Sequence, residues 1–353
     1  MADGEAITGE LVFVGLGLGD QGPSLGALEA IRESEAAYVD NYTSPPSPQV
    51  LKIVEEQTKR RLVEVGREFV EDGKEILERS KDSKVVLAVQ GDPMIATTHN
   101  DLRARAASRG IQTRVVYGAT VAAAAASASG LHYYKFGGTI TFTMESASLH
   151  QEVYHRVHRN LLAGQHTLIL LEFDLVKQKG AEPGFVIERL LEAERNFKRE
   201  VVSEKSLVLV LSRLGREDEG ASGGSMGRLK LEAFGKAPHC VVVPGKLHFS
   251  EEEVLEAVLR VPKGEVADNA AGVRRTAEVL IPKYVEKAKR ALDDARTQLG
   301  DRHKVLLENA ELYLKDSEGF LANGQDELAM LSVGYAEGLI DALAFIGEIR
   351  LSW

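Results

Sequence analysis

Three stretches carry residue types that could hold or act on a small molecule. Gly15-Leu16-Gly17-Leu18-Gly19-Asp20 follows the short apolar run Leu11–Val14. Gln90-Gly91-Asp92-Pro93 follows the apolar run Val85–Val89. His239 and Cys240 open a third run that ends at Val243. The first stretch offers bare backbone to whatever approaches it. A dinucleotide fingerprint would need glycine at position 20, and an aspartate there sets a carboxylate beside a pyrophosphate. Asp40 still mimics the ribose-binding acid of that motif, so an NAD-dependent oxidoreductase stays open as a reading from a different class. A ligand without phosphates suits the glycines better, and S-adenosylmethionine, a sulfonium with an adenosine and an amino acid, is such a ligand. A glycine-rich turn with no ligand is the plain alternative. Asp92 before proline is a common turn initiator. Joined to Gly91 at the end of a central strand, it stands where open parallel sheets bind ligands.

The remaining candidates point mostly to structure. Phe136 in Tyr134-Lys135-Phe136-Gly137 reads as packing, Lys135 as a solvated charge, His239 as a core histidine and Cys240 as buried filler without the electropositive setting of a reactive thiol. The 9 histidines show no HExxH and no Cys/His ligand spacing, so no metal is expected. There is no GxSxG elbow, no Walker A loop and no nucleophile–base pair.

The elements that must position these residues follow from periodicity. Leu11–Val14, Ala37–Val39, Val85–Val89 and Gln112–Tyr117 read as strands; Leu25–Ile31, Val50–Gln57, Val70–Ser80 and Leu102–Ser108 read as helices between them. That alternation is a doubly wound parallel sheet over residues 9–118. Thr98 with Asp101 reads as an N-cap pair. A second α/β domain covers 119–262, with strands at Thr139–Thr143, Thr167–Phe173, Ser206–Leu211 and His239–Val243, and its excess of strands suggests a mixed sheet. Ser222-Gly-Gly-Ser225 reads as a loop and Val261–Asp268 as a linker. Beyond it, 268–353 reads as an all-α helical bundle. There Leu328, Leu331, Tyr335, Leu339, Ala342 and Ile346 form one apolar stripe; Leu306, Ala310, Tyr313 and Phe320 form another. Pro282 marks a kink or break in the helix before them.

Composition excludes several classes. The 353 residues carry a net charge of −10, which argues against a nucleic-acid partner. With 1 cysteine no internal disulfide can form, which fits a reducing, cytoplasmic setting. The acidic amino terminus lacks a signal core, and no apolar run approaches the ~20 residues of a membrane span.

Taken together, Gly15–Asp20, Tyr42-Thr43-Ser44, Gly91-Asp92-Pro93 through His99, Gly130 through Gly137, Gly164 through Leu168 and Pro238 through His248 resemble the diphthine synthase family of tetrapyrrole-methylase-like transferases. The resemblance covers about residues 10–260. It implies two α/β domains with the active-site cleft between them, S-adenosyl-L-methionine as methyl donor, elongation factor 2 as protein substrate and a homodimer. It implies donor contacts at Leu18, Asp92, Ile95, Thr120, Val121, Leu171, Leu214 and His239, and names no catalytic residue. Two departures stand out: Thr143–His150 lacks the family's Trp and Pro, and Glu172 stands where an Asp is usual. The carboxyl-terminal segment resembles a small archaeal helical domain of unknown function. Two further readings remain open, a precorrin-type tetrapyrrole methyltransferase and a binding protein whose functional part is the helical domain.

Overall fold

The computed structural model describes residues 9–144, 147–174, 179–272 and 275–351. The chain divides into two compact units, the first ending at Ala270 and the second running from Ala271, with Leu161–Gly164 grouped with the second.

The first unit opens with β1 (Glu10–Gly15), α1 (Leu25–Arg32), β2 (Ala36–Asp40), α2 (Pro48–Thr58), β3 (Val63–Val65), α3 (Arg67–Asp72), α4 (Lys74–Arg79), β4 (Lys84–Val89), α5 (His99–Ser108) and β5 (Gln112–Val116). All five strands run parallel in the order β3-β2-β4-β1-β5. β1 explains the double winding by itself. Val12 and Val14 pack one face with Ile31, Val50 and Val54. Leu11 and Phe13 pack the other with Ile76, Leu77 and Leu102. Alternate side chains of one strand thus bury helices on both sides. The expected helix over 70–80 is two short helices, α3 and α4, parted at Gly73. Thr98 does not cap α5 with its side chain; its Oγ1 is 2.7 Å from the Tyr42 hydroxyl instead.

The unit continues with α6 (Val121–Ser129), β6 (Ile140–Phe142), α7 (Ala147–Leu162), β7 (Thr167–Leu171), the two-residue strands β8 (Phe173–Asp174) and β9 (Lys179–Gly180), α8 (Pro183–Phe197), β10 (Leu207–Ser212), β11 (Gly220–Ser225), α9 (Met226–Leu229), β12 (His239–Val243), α10 (Phe249–Ala257) and α11 (Lys263–Gly272). The second sheet has the order β11-β10-β12-β7-β6 and is mixed, with only β6–β7 parallel. Two sequence expectations fail here for one reason. Ser222–Ser225 is not a loop but part of edge strand β11, paired with β10. Its glycines leave room for Arg228, whose Nη2 donates to the Gly223 carbonyl at 2.8 Å, and for Val261. Val261–Asp268 is not a linker: Val261 and Val266 are buried, α11 begins after Pro262, and Asn269 Oδ1 accepts from the Leu207 N–H at 3.1 Å. The second sheet therefore needs residues up to about 269 to close its edge.

One buried carboxylate ties this half together. Glu251, wholly buried, accepts from the His132 N–H at 2.8 Å, His166 Nε2 at 3.0 Å, the His248 N–H at 2.7 Å and the Lys135 ammonium. Lys135 is therefore not a solvated charge. The Gly245 N–H donates to His166 Nδ1 at 2.9 Å, so the ring proton sits on Nε2 and points at Glu251. Burial pulls the Glu251 carboxyl up, but the hydrogen bonds from His166, Lys135 and the two amides outweigh it and hold the group well below the usual carboxylate range. Burial lowers His166, offset in part by Glu251.

The second unit is α12 (Thr276–Leu299), α13 (Lys304–Ala322) and α14 (Asp326–Phe345). α12 runs through Pro282 without a break. Its core keeps most of the expected α13 stripe and shifts the α14 stripe by about one residue. α14 buries Ala329, Ser332, Val333, Ala336, Ile340 and Leu343, while Leu328, Leu331, Tyr335 and Ile346 are exposed. α13 buries Leu307, Ala310, Leu314 and Ser317 rather than Tyr313. The reason is that α14 is apolar on most of its circumference, so periodicity alone does not select a face. The small Ala329 and Ala336 lie in the buried row, where side-chain bulk would hold neighbouring helices apart. By length and composition α14 could cross a membrane, and 33% of its apolar window is buried, which qualifies the expectation that no segment could.

The Glu251 centre has a measurable consequence. Below pH ~6.5 the unfolded chain takes up a histidine proton that folded His166 resists, and below ~4.3 a carboxyl proton that folded Glu251 resists. Stability should therefore fall as pH drops, in that order. Glu251→Gln should cost about 3–5 kcal/mol at pH 7 by stranding Lys135, and should flatten the dependence below ~4.3. Thermal denaturation between neutral and acidic pH checks both, and an unchanged profile in the variant would contradict the assignment.

Candidate functional site

The candidate site is built where the carboxyl ends of β1, β4 and β5 meet the second sheet. Each of those strands has a glycine at its end or two residues beyond it, Gly15, Gly91 and Gly118, and these glycine loops touch. Gly91 donates to the Gly17 carbonyl at 2.8 Å. A Cβ on Gly15 would come within 2.5 Å of the Gly118 nitrogen. Asp92 locks the corner: its Oδ1 accepts from the Met94 N–H at 2.9 Å and its Oδ2 from the Gly118 N–H at 3.2 Å. Asp92 is thus buried and committed to backbone, and it sets the distance between two loops.

The glycine loop after β1 then crosses to the second sheet. The Asp20 N–H donates to the Gly215 carbonyl at 2.8 Å. Gly19 has φ +57° and Gly215 φ +81°, where side chains are strained, and a Cβ on Gly19 would collide with the Gly215 carbonyl. A Cβ on Gly215 would stand 2.7 Å from the Leu18 carbonyl oxygen. Gln90 holds the loop from beneath. Its Nε2 donates to the Gly17 carbonyl and to the Gly19 carbonyl at 3.3 Å, and its Oε1 accepts from the Ser47 N–H at 3.0 Å. Sequence reasoning gave Gln90 no role, although its place beside Gly91 was the available signal.

The sequence-derived positions fall along this seam. Leu18 lies on the glycine loop and Leu214 directly precedes Gly215. Leu18, Thr120, Val121, Leu171 and Leu214 are all half-buried, and Ile95 is 47% exposed in the turn after Asp92. Thr120 caps α6, its side chain accepting from the Ala122 N–H at 3.0 Å, so Val121 starts that helix where the two sheets join. In the second sheet Ser212 pairs with His239 and Cys240 with Leu170, which brings Leu171, Leu214 and His239 to one edge. His239 Nδ1 is 2.9 Å from Ser212 Oγ, while its Nε2 is buried with no hydrogen-bond partner. Burial lowers the His239 pKa, so the ring is neutral. Cys240 is buried and its thiol is pushed up to about 12 by burial.

Asp40 sits elsewhere, wholly buried. It accepts from His99 Nε2 at 3.1 Å and from the Tyr42 and Thr43 N–H groups at 2.8 and 3.0 Å. That carboxylate has no capacity left for a ribose, which removes the support that Asp40 lent to a dinucleotide site. The altered segment 143–150 lies partly outside the described residues. Glu172, one of the departures, accepts from the Met144 N–H at 2.9 Å and so fixes the segment's start. Among the described residues no cluster of His, Cys, Asp and Glu could hold a metal ion.

Two sheets that share a glycine floor at their facing edges define a class of protein, the Tetrapyrrole (Corrin/Porphyrin) Methylases, whose family model matches residues 10–230. A solved diphthine synthase superposes with a TM-score of 0.65 at 32% identity, covering 75% of this chain and 100% of that one. The diphthine synthase of Methanothermobacter thermautotrophicus is 33% identical over 258 residues, 72% of this chain and 98% of that protein. That of Methanosarcina mazei is 35% identical over 267 residues, 73% and 99% of the two chains. Within the methylase class, this chain belongs to the diphthine synthase family. Residues 283–349 match a separate family of unknown function, DUF357.

The Gly19–Gly215 contact can be probed directly. Gly19→Ala should destabilise the protein by at least about 2 kcal/mol, combining left-handed backbone strain with a forced separation. The midpoint of chemical denaturation reads this out; a variant as stable as the parent would show that the two loops are not in contact.

Proposed function

We propose that this chain uses S-adenosyl-L-methionine to methylate the amino group of the modified histidine of elongation factor 2, as a homodimer in the cytoplasm. The coarser statement needs no proposal: the chain is a methyltransferase of diphthamide biosynthesis. The observation that favours this donor is the glycine floor. It leaves backbone bare on both sides of a seam ending in the unpartnered His239 Nε2. A neutral imidazole nitrogen of that kind suits the polar edge of a heterocycle such as adenine. Leu18, Ile95, Val121, Leu171 and Leu214 would supply apolar contact around it, and Asp92 would hold the two glycine loops at the spacing that the ligand needs.

The donor supplies a methyl group on positively charged sulfur; transfer forms the new carbon–nitrogen bond, releases neutral thioether, and leaves any proton on nitrogen to be lost to solvent. The departing group needs no acid. Alignment can therefore supply most of the rate, and well-oriented systems gain about 7–11 kcal/mol in this way. It fits a seam whose own buried carboxylate, Asp92, is engaged by backbone, as Asp40 and Glu251 are by their neighbours elsewhere in the fold.

A precorrin-type reaction is the rival within the same class. Mass spectrometry of elongation factor 2 bearing the unmethylated side chain, after incubation with this protein and the donor, should show added 14-Da increments, the mass of one methylene each (~14 Da). No mass change on that acceptor, with methylation of a precorrin instead, would overturn the assignment.

A further inference from the structure

Sequence periodicity draws two apolar stripes on the last two helices, and the core of the second unit uses only part of them. In that core Ile281, Ala288 and Leu292 of α12 meet Ala310 and Leu314 of α13 and Ala336 and Ile340 of α14. Beside it, α13 and α14 turn a second apolar face outward. Leu331 and Tyr335 are 53% and 56% exposed, and Leu328, Ala342 and Ile346 are exposed with them. Tyr335 stacks on Tyr313 with ring centroids 5.5 Å apart, which joins this row to the stripe on α13. Leu306, Phe320 and Leu339 are half-buried against the core and so lie deeper in the groove between the two rows. At the start of α13 the groove widens into a cleft of about 790 Å³ reached by Leu306, Tyr313 and Leu339. All of these residues belong to the second unit.

A helix with an apolar row at this spacing buries it against a neighbour. The rows on α13 and α14 provide for two neighbours, and within the unit α12 supplies one. The rim of the groove is acidic. α14 carries Asp326, Glu327, Glu337 and Asp341 and no lysine or arginine. Asp326 pairs with Arg275 at 2.7 Å and Glu337 with Lys287 at 3.7 Å. Among the described residues Glu327 and Asp341 have no ion pair, and neither has Asp316, which stands between Tyr313 and Phe320 on α13. The bases of α13 do not offset them. Lys304 pairs with Glu308 at 3.9 Å, and the helical period puts Lys315 on the side of α13 away from Tyr313.

We propose that this groove seats an amphipathic helix of another protein, one whose apolar row is flanked by lysine or arginine. Such a helix completes a four-helix arrangement and sets its cations against Asp316, Glu327 and Asp341. Charge and size both select this occupant. A second copy of the chain would bring the same acids face to face, and an anionic lipid surface would repel them. The 20 residues of α14 make a strip ~30 Å long and about 10 Å wide, roughly 300 Å² a side. That is the footprint of one helix, and about half of the ~600 Å² a side at the lower end of stable interfaces between globular partners.

The test uses the full chain and two fluorescein-labelled helical peptides of about 20 residues. Both carry leucine along one face; one has lysine beside that row and the other glutamate. Anisotropy should show the lysine peptide binding at least about tenfold tighter than the glutamate peptide. Leu331→Asp, checked for an unchanged melting curve, should weaken the lysine peptide at least about tenfold. The added acid would tighten a merely non-specific attraction, so the direction of the change separates the two. Tyr335→Ser reads the same seat without a change of charge and should weaken binding as well. Glu327→Lys combined with Asp341→Lys should weaken the lysine peptide at least about threefold and strengthen the glutamate peptide. Equal binding of the two peptides, or lysine-peptide binding that survives Leu331→Asp, would overturn the proposal. Light scattering and flotation with vesicles of mixed phosphatidylcholine and phosphatidylglycerol test the other occupants. The parent and Leu331→Asp should have the same mass in solution, and neither should bind the vesicles. Self-association or vesicle binding that Leu331→Asp abolishes would give the groove to a second copy or to lipid, and would also overturn the proposal.

Discussion

The structure depends on a backbone-to-backbone contact that only glycine permits. The loop after β1 touches the loop after β10 at Gly19 and Gly215, and the Asp20 N–H bond to the Gly215 carbonyl fastens them. Without side chains there, two sheets with different strand patterns meet edge to edge, and the half-buried apolar residues at both edges line a common seam. Gln90 and Asp92 serve that contact from behind, one beneath the glycine loop and the other between the β4 and β5 turns. Both are polar residues buried to hold backbone. Their cost in desolvation is offset because every bond they make is to a backbone group.

The same logic explains why a methyltransferase can present so little recognisable catalytic apparatus. Removing a methyl group from sulfonium leaves a neutral product, so acid catalysis has nothing to do. What remains is placement, and placement is a property of rigid backbone. The residues that invite a catalytic label are instead joints. Asp40 fastens the β2 turn to His99, and Glu251 gathers His132, Lys135, His166 and His248 into one buried centre. The family signature around Lys135 and His248 is therefore legible as architecture: distant segments brought to a single carboxylate.

Much of the first sheet could be read from the sequence because its strands are short apolar runs between amphipathic helices. β3 was missed because Val63 and Glu64 are exposed and only Val65 is buried, so no apolar run announces it. The glycine strand β11 was invisible for a related reason, since Gly223 and Gly224 yield their space to Arg228 and Val261 and leave no side-chain alternation to detect. The helices of the second unit were found, and most of the α13 stripe packs on the core, but the face of α14 was misplaced. α14 carries apolar residues almost all round, so the stripe through Leu328 and Tyr335 looked like the core, while the adjacent stripe through Ala329 and Ala336 is. Of the site, Gly15–Asp20 and Gly91-Asp92 stood out as chemistry-bearing, whereas the roles of Gln90 and Ser212 depend on partners far away in the chain and needed the fold.

The central claim is that the shared glycine floor is a ligand seat. A crystal structure with the spent donor, S-adenosylhomocysteine, tests it most directly. The account places the ligand against Leu18 and Asp92, between Val121 and Leu214, with a hydrogen bond to His239 Nε2. Density for the ligand away from this seam, or loops that part at Gly19 and Gly215 with the ligand absent from between the sheets, would contradict it.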